Sequence, residues 1–406
     1  MKQSFTDIIE AYKKTGACCG NLSRICAAID LDALTGNLSR IHERLLECGC
    51  DVPMTDVIKA DGYGHGSVMI AKETEKLDYI SAHAVATFEE AMELRAAGIS
   101  KPIIILGYTF PYCYDELILQ DLRPAVFRTD TLAELSESAA RTGRPVRIHI
   151  AVDTGMSRIG IKPDESGLSF VRQAAKTPGI IIEGMFTHFA RADEEDTADA
   201  LSQFTAFRTF AETVRDTLGL EIPVLHCANS AAAVRLPETA MDMVRCGIIM
   251  YGLWPSDDVD RDLVRLEPVM SLHSHIVYIK DIPAGTRISY GGIYAPDKPA
   301  RIATVPVGYA DGYARTLTGK VSVLVRGKRV PVVGRICMDQ MMLDVSSVPD
   351  AAEGDPVTLV GRDGSEEITL EELGSLSGRF NYEFACDVNK RVPRVYIRDG
   401  LVTAIE

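Results

Sequence analysis

Residues 57–66 have the sequence VIKADGYGHG, and no other stretch of the chain says more about its fold. The apolar residues in front of Lys59 predict the end of a β-strand. The glycines that follow predict a tight turn, because glycine adopts backbone conformations that other residues avoid. Helical sequence resumes after the turn, so the chain passes from strand to helix through a segment that carries Lys59, Tyr63 and His65.

The same alternation of strand and helix continues for about 240 residues beyond the N-terminal segment. Strands are predicted at residues 56–60, 79–86, 102–107, 124–127, 146–153, 180–188, 224–228 and 243–249. Thr87 and Glu90 have the spacing of a capping box and predict the start of a helix. Eight parallel strands separated by helices form a (β/α)₈ barrel, which is the α/β fold we predict here. An earlier apolar run at residues 25–31 is one strand too many for that barrel.

The pattern changes near Leu266, after which short strands alternate with turn signals. Thr369 and Glu372 predict one short helix among these strands. The chain is therefore predicted to end in a mostly β domain. The predicted divisions are an N-terminal extension at 1–25, the barrel at 26–265 and the C-terminal β domain at 266–406.

Composition narrows the class of protein. A net charge of −14 argues against binding to nucleic acid or to an anionic membrane. No apolar run approaches the roughly 18 residues that a membrane-spanning helix needs. The N-terminal residues lack the apolar stretch of a secretory signal, which predicts a cytoplasmic protein. The ten cysteines form no paired CxxC motifs, so buried thiols are expected rather than disulfides or a metal site.

Lys59 places an amine at a predicted strand end, where it can form a Schiff base with a carbonyl. Pyridoxal 5'-phosphate (PLP) is the usual partner of such a lysine. The neighbouring glycines let the backbone approach a phosphate closely. The alternative is a solvated surface lysine. The whole string at 57–66 closely resembles the cofactor-lysine motif of the PLP-dependent alanine racemases.

The resemblance extends from Ala28 nearly to the end of the chain. It implies a barrel followed by a mostly β domain, with the extra strand at 25–31 in the second domain. It also implies that Lys59 binds PLP and is one of two proton-transfer bases, while Tyr290 resembles the second base. Two different bases on opposite faces of a planar carbanion can remove a proton from one face and return it to the other. In the family this tyrosine comes from the partner subunit, which implies a homodimer with shared active sites.

Arg245 resembles the arginine that faces the PLP ring nitrogen. Arginine cannot release a proton, so that nitrogen stays unprotonated, whereas PLP-dependent decarboxylases of the same architecture place a carboxylate there. His188 resembles the residue that steadies this arginine, and a plain core histidine is the alternative. Barrels commonly bind phosphate with the loops after their seventh and eighth strands. Those loops and two family tyrosines form the predicted phosphate site: Tyr63, Asn229, Ser230, Gly247, Ile248 and Tyr382.

Substrate binding is implied for Arg158, Tyr309, Met338 and Asp339. Arg158 resembles the arginine that engages the catalytic tyrosine and the substrate carboxylate, and Tyr309 resembles the tyrosine that narrows the entrance. For Met338 and Asp339 the alternatives are core filling and a turn. Many family members orient that arginine with a carbamylated lysine, but this chain has Ala151 there. We therefore expect a substitute near Arg158: chloride first, a carboxylate second and ordered water third.

Together these residues predict an enzyme that interconverts L- and D-alanine with PLP, in the pathway that supplies D-alanine for peptidoglycan. Serine or broader small amino-acid racemisation is the nearest alternative. The retention of Tyr382 favours alanine, because serine-active members tend to replace it. A non-catalytic PLP-binding protein would keep Lys59 but would not need Tyr290, Tyr309 or Asp339.

Overall fold

The structure of the protein, a computed structural model, describes residues 24–406. These residues form two compact units. The barrel unit comprises residues 35–62 and 66–266, and the β unit comprises residues 24–34, 63–65 and 267–406. The boundary expected at residue 26 differs from this division, because residues 24–34 belong to the β unit. Most of the expected N-terminal extension, residues 1–23, lies outside the described residues.

The chain starts with strand β1 (Ile25–Asp30) and helix α1 (Leu31–Glu47). Eight parallel strands follow in the barrel unit: β2 (Met54–Val57), β3 (Ile80–Val85), β4 (Ile103–Ile105), β5 (Leu122–Val126), β6 (Val146–Ala151), β7 (Ile180–Phe186), β8 (Val224–His226) and β9 (Val244–Cys246). Consecutive strands from β2 to β8 pair with each other, and β9 pairs back with β2. The remaining gap lies between β8 and β9. Single backbone hydrogen bonds cross it, such as the one that the Arg245 N–H donates to the Ala228 carbonyl at 3.1 Å. The predicted barrel is therefore confirmed as a nearly closed one.

Helices separate the barrel strands: α2 (Ser67–Thr74), α3 (Phe88–Ala96), α4 (Tyr114–Leu119), α5 (Thr129–Thr142), α6 (Glu165–Lys176), α7 (Ala198–Leu218) and α8 (Ser230–Arg235). The capping box predicted at the start of α3 is confirmed. The Thr87 side chain accepts a hydrogen bond from the Glu90 N–H, and the Glu90 carboxylate accepts one from the Thr87 N–H. This reciprocal pair satisfies two backbone donors that a helix start leaves without partners.

The β unit contains β1 and ten further strands: β10 (Met270–His275), β11 (Tyr278–Ile282), β12 (Ala300–Val305), β13 (Ser322–Val325), β14 (Lys328–Val333), β15 (Met341–Asp344), β16 (Pro356–Asp363), β17 (Glu366–Ile368), β18 (Arg394–Arg398) and β19 (Leu401–Ile405). Strand β1 pairs antiparallel with β10 and parallel with β18, as expected for the extra strand. Two-residue turns at 326–327 and 399–400 join β13 to β14 and β18 to β19. Both residues of each turn have positive φ, which matches the twist of a hairpin.

Two helices, rather than the single one predicted, interrupt the β unit: α9 (Leu370–Ser377) and α10 (Asn381–Cys386). Thr369 caps α9 as predicted, with its side chain accepting from the Glu372 N–H at 3.1 Å. Helix α10 has only six residues, too few to display a helical period in the sequence.

Two further properties concern the described residues as a whole. None of their helices is both long and apolar enough to cross a membrane. Eight cysteines in this part of the chain are free thiols, and four of them are buried. Burial raises the pKa of the Cys26, Cys227 and Cys246 thiols to about 12.

Candidate active site

Lys59 lies just beyond the carboxyl end of β2 and starts an unusual turn. Ala60, Asp61, Gly62 and Tyr63 have φ angles of 52°, 54°, 61° and 52°, so the backbone makes one turn of left-handed helix. A non-glycine residue in this conformation costs roughly 1–2 kcal/mol. Such strain persists only where surrounding contacts hold the backbone.

Hydrogen bonds of the barrel unit provide that hold. The Ala60 N–H donates to the Glu90 carboxylate at 2.7 Å, and the Ser67 N–H donates to the Asp61 carboxylate at 2.9 Å. Glu90 is also the residue that completes the capping box of α3. One carboxylate therefore fixes both the start of a helix and the direction in which the chain leaves Lys59.

Arg245 on β9 is buried and donates to four acceptors. Nη2 donates to the backbone carbonyls of Thr187 and Cys227 at 2.9 and 3.0 Å, and Nη1 donates to Nδ1 of His226 at 2.8 Å. A longer contact of 3.3 Å joins Nη2 to Nδ1 of His188, which the structure thus places beside Arg245. Burial lowers the pKa of Arg245 to about 10, so the guanidinium remains charged at neutral pH.

A chain of hydrogen bonds leads from Arg245 through His226 and His149 to Glu183, and we call it the histidine relay. Because Nδ1 of His226 accepts from Arg245, its proton lies on Nε2, which donates to Nδ1 of His149 at 2.9 Å. Nε2 of His149 then donates to the Glu183 carboxylate at 3.3 Å. A Cβ at Gly184 would lie 2.4 Å from the His149 ring, so glycine gives the ring its space. Sequence reasoning missed this relay.

Positive charge gathers around His188. Burial lowers the pKa of His188 well below its ordinary value, and the charges of Arg245, Arg158 and Lys59 lower it further. These cations are therefore close enough to act on one imidazole. The barrel unit thus brings together four residues that the sequence singled out.

The histidine relay predicts an acid-sensitive fold. Burial lowers the pKa of His226 and His149, so the unfolded chain binds more protons than the folded one below about pH 6.5. The free energy of unfolding should therefore decrease as the pH is lowered through that range, by up to about 1.4 kcal/mol per pH unit for each histidine. His226→Gln should lower the Tm at neutral pH, because Arg245 loses an acceptor. The further decrease in Tm at acidic pH should be smaller in this variant than in the wild type. Thermal unfolding curves measured across this range check the prediction. A Tm that decreases with falling pH as steeply as that of the wild type would contradict the prediction.

The loops after the seventh and eighth barrel strands meet directly. The Gly247 N–H donates to Oγ of Ser230 at 2.9 Å. Asn229 caps α8, since its side chain accepts from the Ala232 N–H at 3.1 Å. Ile248 is buried at the start of a short 3₁₀ turn. The predicted phosphate residues of these loops are thus adjacent, although the Gly247 N–H is engaged by Ser230 here.

The other predicted cofactor residues, Tyr63 and Tyr382, meet within the β unit. Their ring centroids lie 5.9 Å apart, with an angle of 61° between the planes. The Tyr382 ring also stacks on Phe380 at 4.5 Å. Residues more than 300 positions apart in the sequence are therefore in ring contact.

The predicted substrate residues of the β unit, and Tyr290, lie on hydrogen-bonded segments. The segment 335–339 carries Met338 and Asp339. The Tyr309 N–H donates to a backbone carbonyl of this segment at 3.1 Å, and so does the side chain of Ser289 at 2.6 Å. Because Ser289 directly precedes Tyr290, the segments that carry Tyr290, Tyr309 and Met338 form one connected surface.

Asp339 has a partner that the sequence did not reveal. Arg391 pairs with Asp339 at 2.6 Å and with Asp311 at 2.8 Å. The Asp311 side chain is fully buried and also accepts from the Gly308 N–H at 3.0 Å. Arg391 therefore ties Asp339 to the turn that contains Tyr309.

Arg158 and Ala151 lie in different surroundings. Arg158 is exposed in the described chain. Its loop is shaped by Asp153, whose carboxylate accepts from the Gly155 and Ser157 N–H groups at 3.1 and 2.9 Å. Ala151 is buried in an apolar cluster with Ala125 and Phe186, against which Leu106, Phe127 and Ile159 pack.

These features define a (β/α)₈-barrel protein with a mostly β second domain and a cationic site at the carboxyl ends of its barrel strands. Comparison with known proteins identifies the family. The alanine racemase N-terminal domain matches residues 29–255, and the alanine racemase C-terminal domain matches residues 269–396. The chain belongs to the alanine racemase family, whose members are PLP-dependent isomerases.

Individual relatives agree with this assignment. An alanine racemase of Desulfovibrio desulfuricans is 45% identical over 375 residues, which is 92% of this chain and 98% of the relative. One of Methanococcus maripaludis is 42% identical and covers 92% of this chain and 98% of its own. A solved alanine racemase of Clostridium difficile has a TM-score of 0.90 at 39% identity, covering 94% of this chain and 98% of its own. The alanine racemase of Bacillus anthracis with bound L-Ala-P has a TM-score of 0.87 at 37% identity, covering 95% and 97%.

Proposed function

We propose that this chain is a cytoplasmic alanine racemase that interconverts L- and D-alanine with PLP and supplies D-alanine for peptidoglycan. The observation that carries the proposal is the buried Arg245, which donates to two backbone carbonyls and two histidine nitrogens. A decarboxylase of this architecture needs a carboxylate at that position to keep a ring nitrogen protonated. The arginine therefore favours racemisation.

The residues present fit PLP chemically. Lys59 offers an amine for an aldehyde, Ser230 offers a hydroxyl for a phosphate, and Arg245 offers N–H donors for a ring nitrogen. The cluster of positive charge around His188 suits an anionic cofactor. In the β unit, Tyr63 and Tyr382 would supply two further hydroxyls for the phosphate.

When bound, PLP supplies the electron sink that makes the α-hydrogen of an amino acid acidic. Lys59 would take or return the α-proton on one face, and Tyr290 on the other. Arg245 would donate a hydrogen bond to the ring nitrogen and so keep a proton off it, because a guanidinium only donates hydrogen bonds. By limiting the electron sink in this way, Arg245 would disfavour transamination. His188 and the histidine relay hold Arg245 in position.

Substrate residues would complete the site. Arg158 and the Met338–Asp339 segment would bind the substrate carboxylate, and Tyr309 would exclude large side chains. In the single chain, however, Tyr290 is 71%, Met338 52% and Tyr309 41% exposed. Proton transfer to carbon works best in a site closed to water. A second copy of the chain that covers these side chains would close it, which supports a homodimer with shared active sites.

We also propose that a small anion, chloride first, balances the charge of Arg158. Because Ala151 is part of an apolar cluster, the anion would bind the guanidinium directly. At low ionic strength, activity should rise on adding chloride and should not rise with a bulky anion such as gluconate. Racemisation rates in matched chloride and gluconate buffers check this. Identical rates in the two buffers would rule out a dependence on chloride.

In the decisive experiment, the purified protein and PLP are incubated with L-alanine or L-serine in D₂O. Proton NMR follows exchange of the α-proton, and chiral chromatography follows the D-enantiomer. Fast formation of D-alanine with slow reaction of serine supports the proposal. Preference for serine would shift the assignment to a serine racemase. PLP binding without α-proton exchange on either substrate would indicate a non-catalytic PLP-binding protein.

A further inference from the structure

The backbone around Gly64 packs tightly against helix α10 within the β unit. Gly64 has a φ of 80°, and a Cβ at this position would lie only 2.2 Å from the backbone oxygen of Ala385. Tyr63 precedes Gly64, and Tyr382 lies on α10, where the two rings are in contact. The relative placement of the two tyrosines therefore depends on how residues 63–65 are held against α10.

Arg394, the first residue of β18, provides this hold. It is buried, with only 6% of its surface exposed. Its Nε donates to the Gly64 carbonyl at 3.0 Å. Its two other nitrogens donate to backbone carbonyls of the segment that follows α10, at 2.6, 2.7 and 2.8 Å for Val388, Val392 and Asn389. One rigid guanidinium thus joins the loop of Tyr63 to the chain segment leaving the helix of Tyr382.

This geometry requires arginine in particular. A guanidinium presents five N–H donors in a fixed plane, whereas the lysine ammonium is a compact group on a flexible stem. A lysine at 394 would keep the positive charge, but it could not reach carbonyls on both sides of the guanidinium at once. Hydrogen bonds from a charged donor contribute about 1.5–3 kcal/mol each, so the loss of even one would loosen the connection.

We propose that Arg394 is a positioning residue for the phosphate of PLP, acting by holding Tyr63 and Tyr382 in a fixed relation to each other. The inference rests on the proposed function, because it takes these tyrosines to be phosphate ligands. Arg394 itself contacts backbone carbonyls and is not a catalytic residue. Its contribution should therefore appear only for a ligand that carries the phosphate.

The test compares PLP with pyridoxal, which has the same aldehyde and ring but no phosphate. Both are titrated into the full-length protein after removal of its cofactor, and absorbance reports binding. Arg394→Lys should weaken PLP binding at least about tenfold, the effect of losing one charge-assisted hydrogen bond. Pyridoxal binding should change less than about twofold, since the tyrosines that Arg394 positions are proposed to contact the phosphate, which pyridoxal lacks. Arg398→Lys, on the same strand but paired with Asp32, is the matched control and should leave both affinities unchanged.

Two further variants sharpen the result. In a Tyr63→Phe, Tyr382→Phe background, Arg394→Lys should cause little additional loss, because residues acting through one interaction are not additive. Gly64→Ala forces the loop away from Ala385 and should cause the same phosphate-specific loss. A purely structural role would weaken PLP and pyridoxal binding equally or prevent both Arg394→Lys and Gly64→Ala from folding, and either result overturns the proposal. Failure of the wild type to bind PLP through Lys59 would instead show that the proposed function is wrong.

Discussion

Lys59→Ala is expected to abolish both covalent attachment of PLP and racemisation. The left-handed turn after β2 begins at Lys59, whose amine is the group proposed to react with the aldehyde of PLP. Borohydride reduction of the wild type, followed by peptide mass spectrometry, should locate the cofactor on Lys59. The variant should show neither the label nor the absorption band of the attached cofactor. Lys72→Ala, on the exposed side of α2, is the control and should behave like the wild type. Labelling of any other lysine in the wild type would refute the assignment.

Tyr290→Phe should separate the two proton-transfer bases. PLP binding should survive, because the hydroxyl that is removed is not a proposed cofactor ligand. Racemisation should fall by about 10²–10⁴, the usual effect of losing a general acid or base. One enantiomer should still exchange its α-proton with D₂O through Lys59. Tyr278→Phe, another exposed tyrosine of the β unit, should be close to wild type. Near-native turnover in both directions would show that Tyr290 is not a base.

The same two variants test the proposed dimer. If each active site takes Lys59 from one subunit and Tyr290 from the other, a hybrid of Lys59→Ala and Tyr290→Phe subunits contains one intact site. Mixing the two inactive variants under conditions of subunit exchange should then restore activity. If both residues come from one subunit, mixing restores none.

Much of the fold could be predicted from the sequence. The eight barrel strands lie where apolar runs predicted them, because each run is short and bounded by turn or helix signals. The helix starts predicted at Thr87 and Thr369 depended on equally local signals and are both confirmed, with a full capping box at Thr87 and a side-chain cap at Thr369. The place of β1 in the second domain was expected only from the family resemblance, because its pairing with β10 and β18 depends on strands more than 200 residues away.

The finer features of the site depend on tertiary contacts that the sequence does not display. Glycine signals predicted a turn after Lys59, but nothing predicted left-handed backbone at Ala60 and Asp61, which contacts such as Glu90 stabilise. His149 and His226 are 77 positions apart and meet only through the register of parallel strands. The sequence shows that Ala151 replaces a family lysine, but it does not show that this alanine belongs to an apolar cluster with Ala125 and Phe186.

The positive charge around His188 has a consequence for the kinetics of association. The chain as a whole carries a net charge of −14, which repels anions at long range. Lys59, Arg158 and Arg245 nevertheless all lower the pKa of the His188 imidazole, so positive charge is concentrated near the ends of the barrel strands. Beyond about 10 Å, salt at 0.1 M screens the repulsion, while a buried charge such as that of Arg245 is screened less. Moderate salt should therefore speed the capture of PLP. Salt has the reverse effect, slower capture, when the net charge of a protein is opposite in sign to that of its ligand and attracts the ligand from a distance.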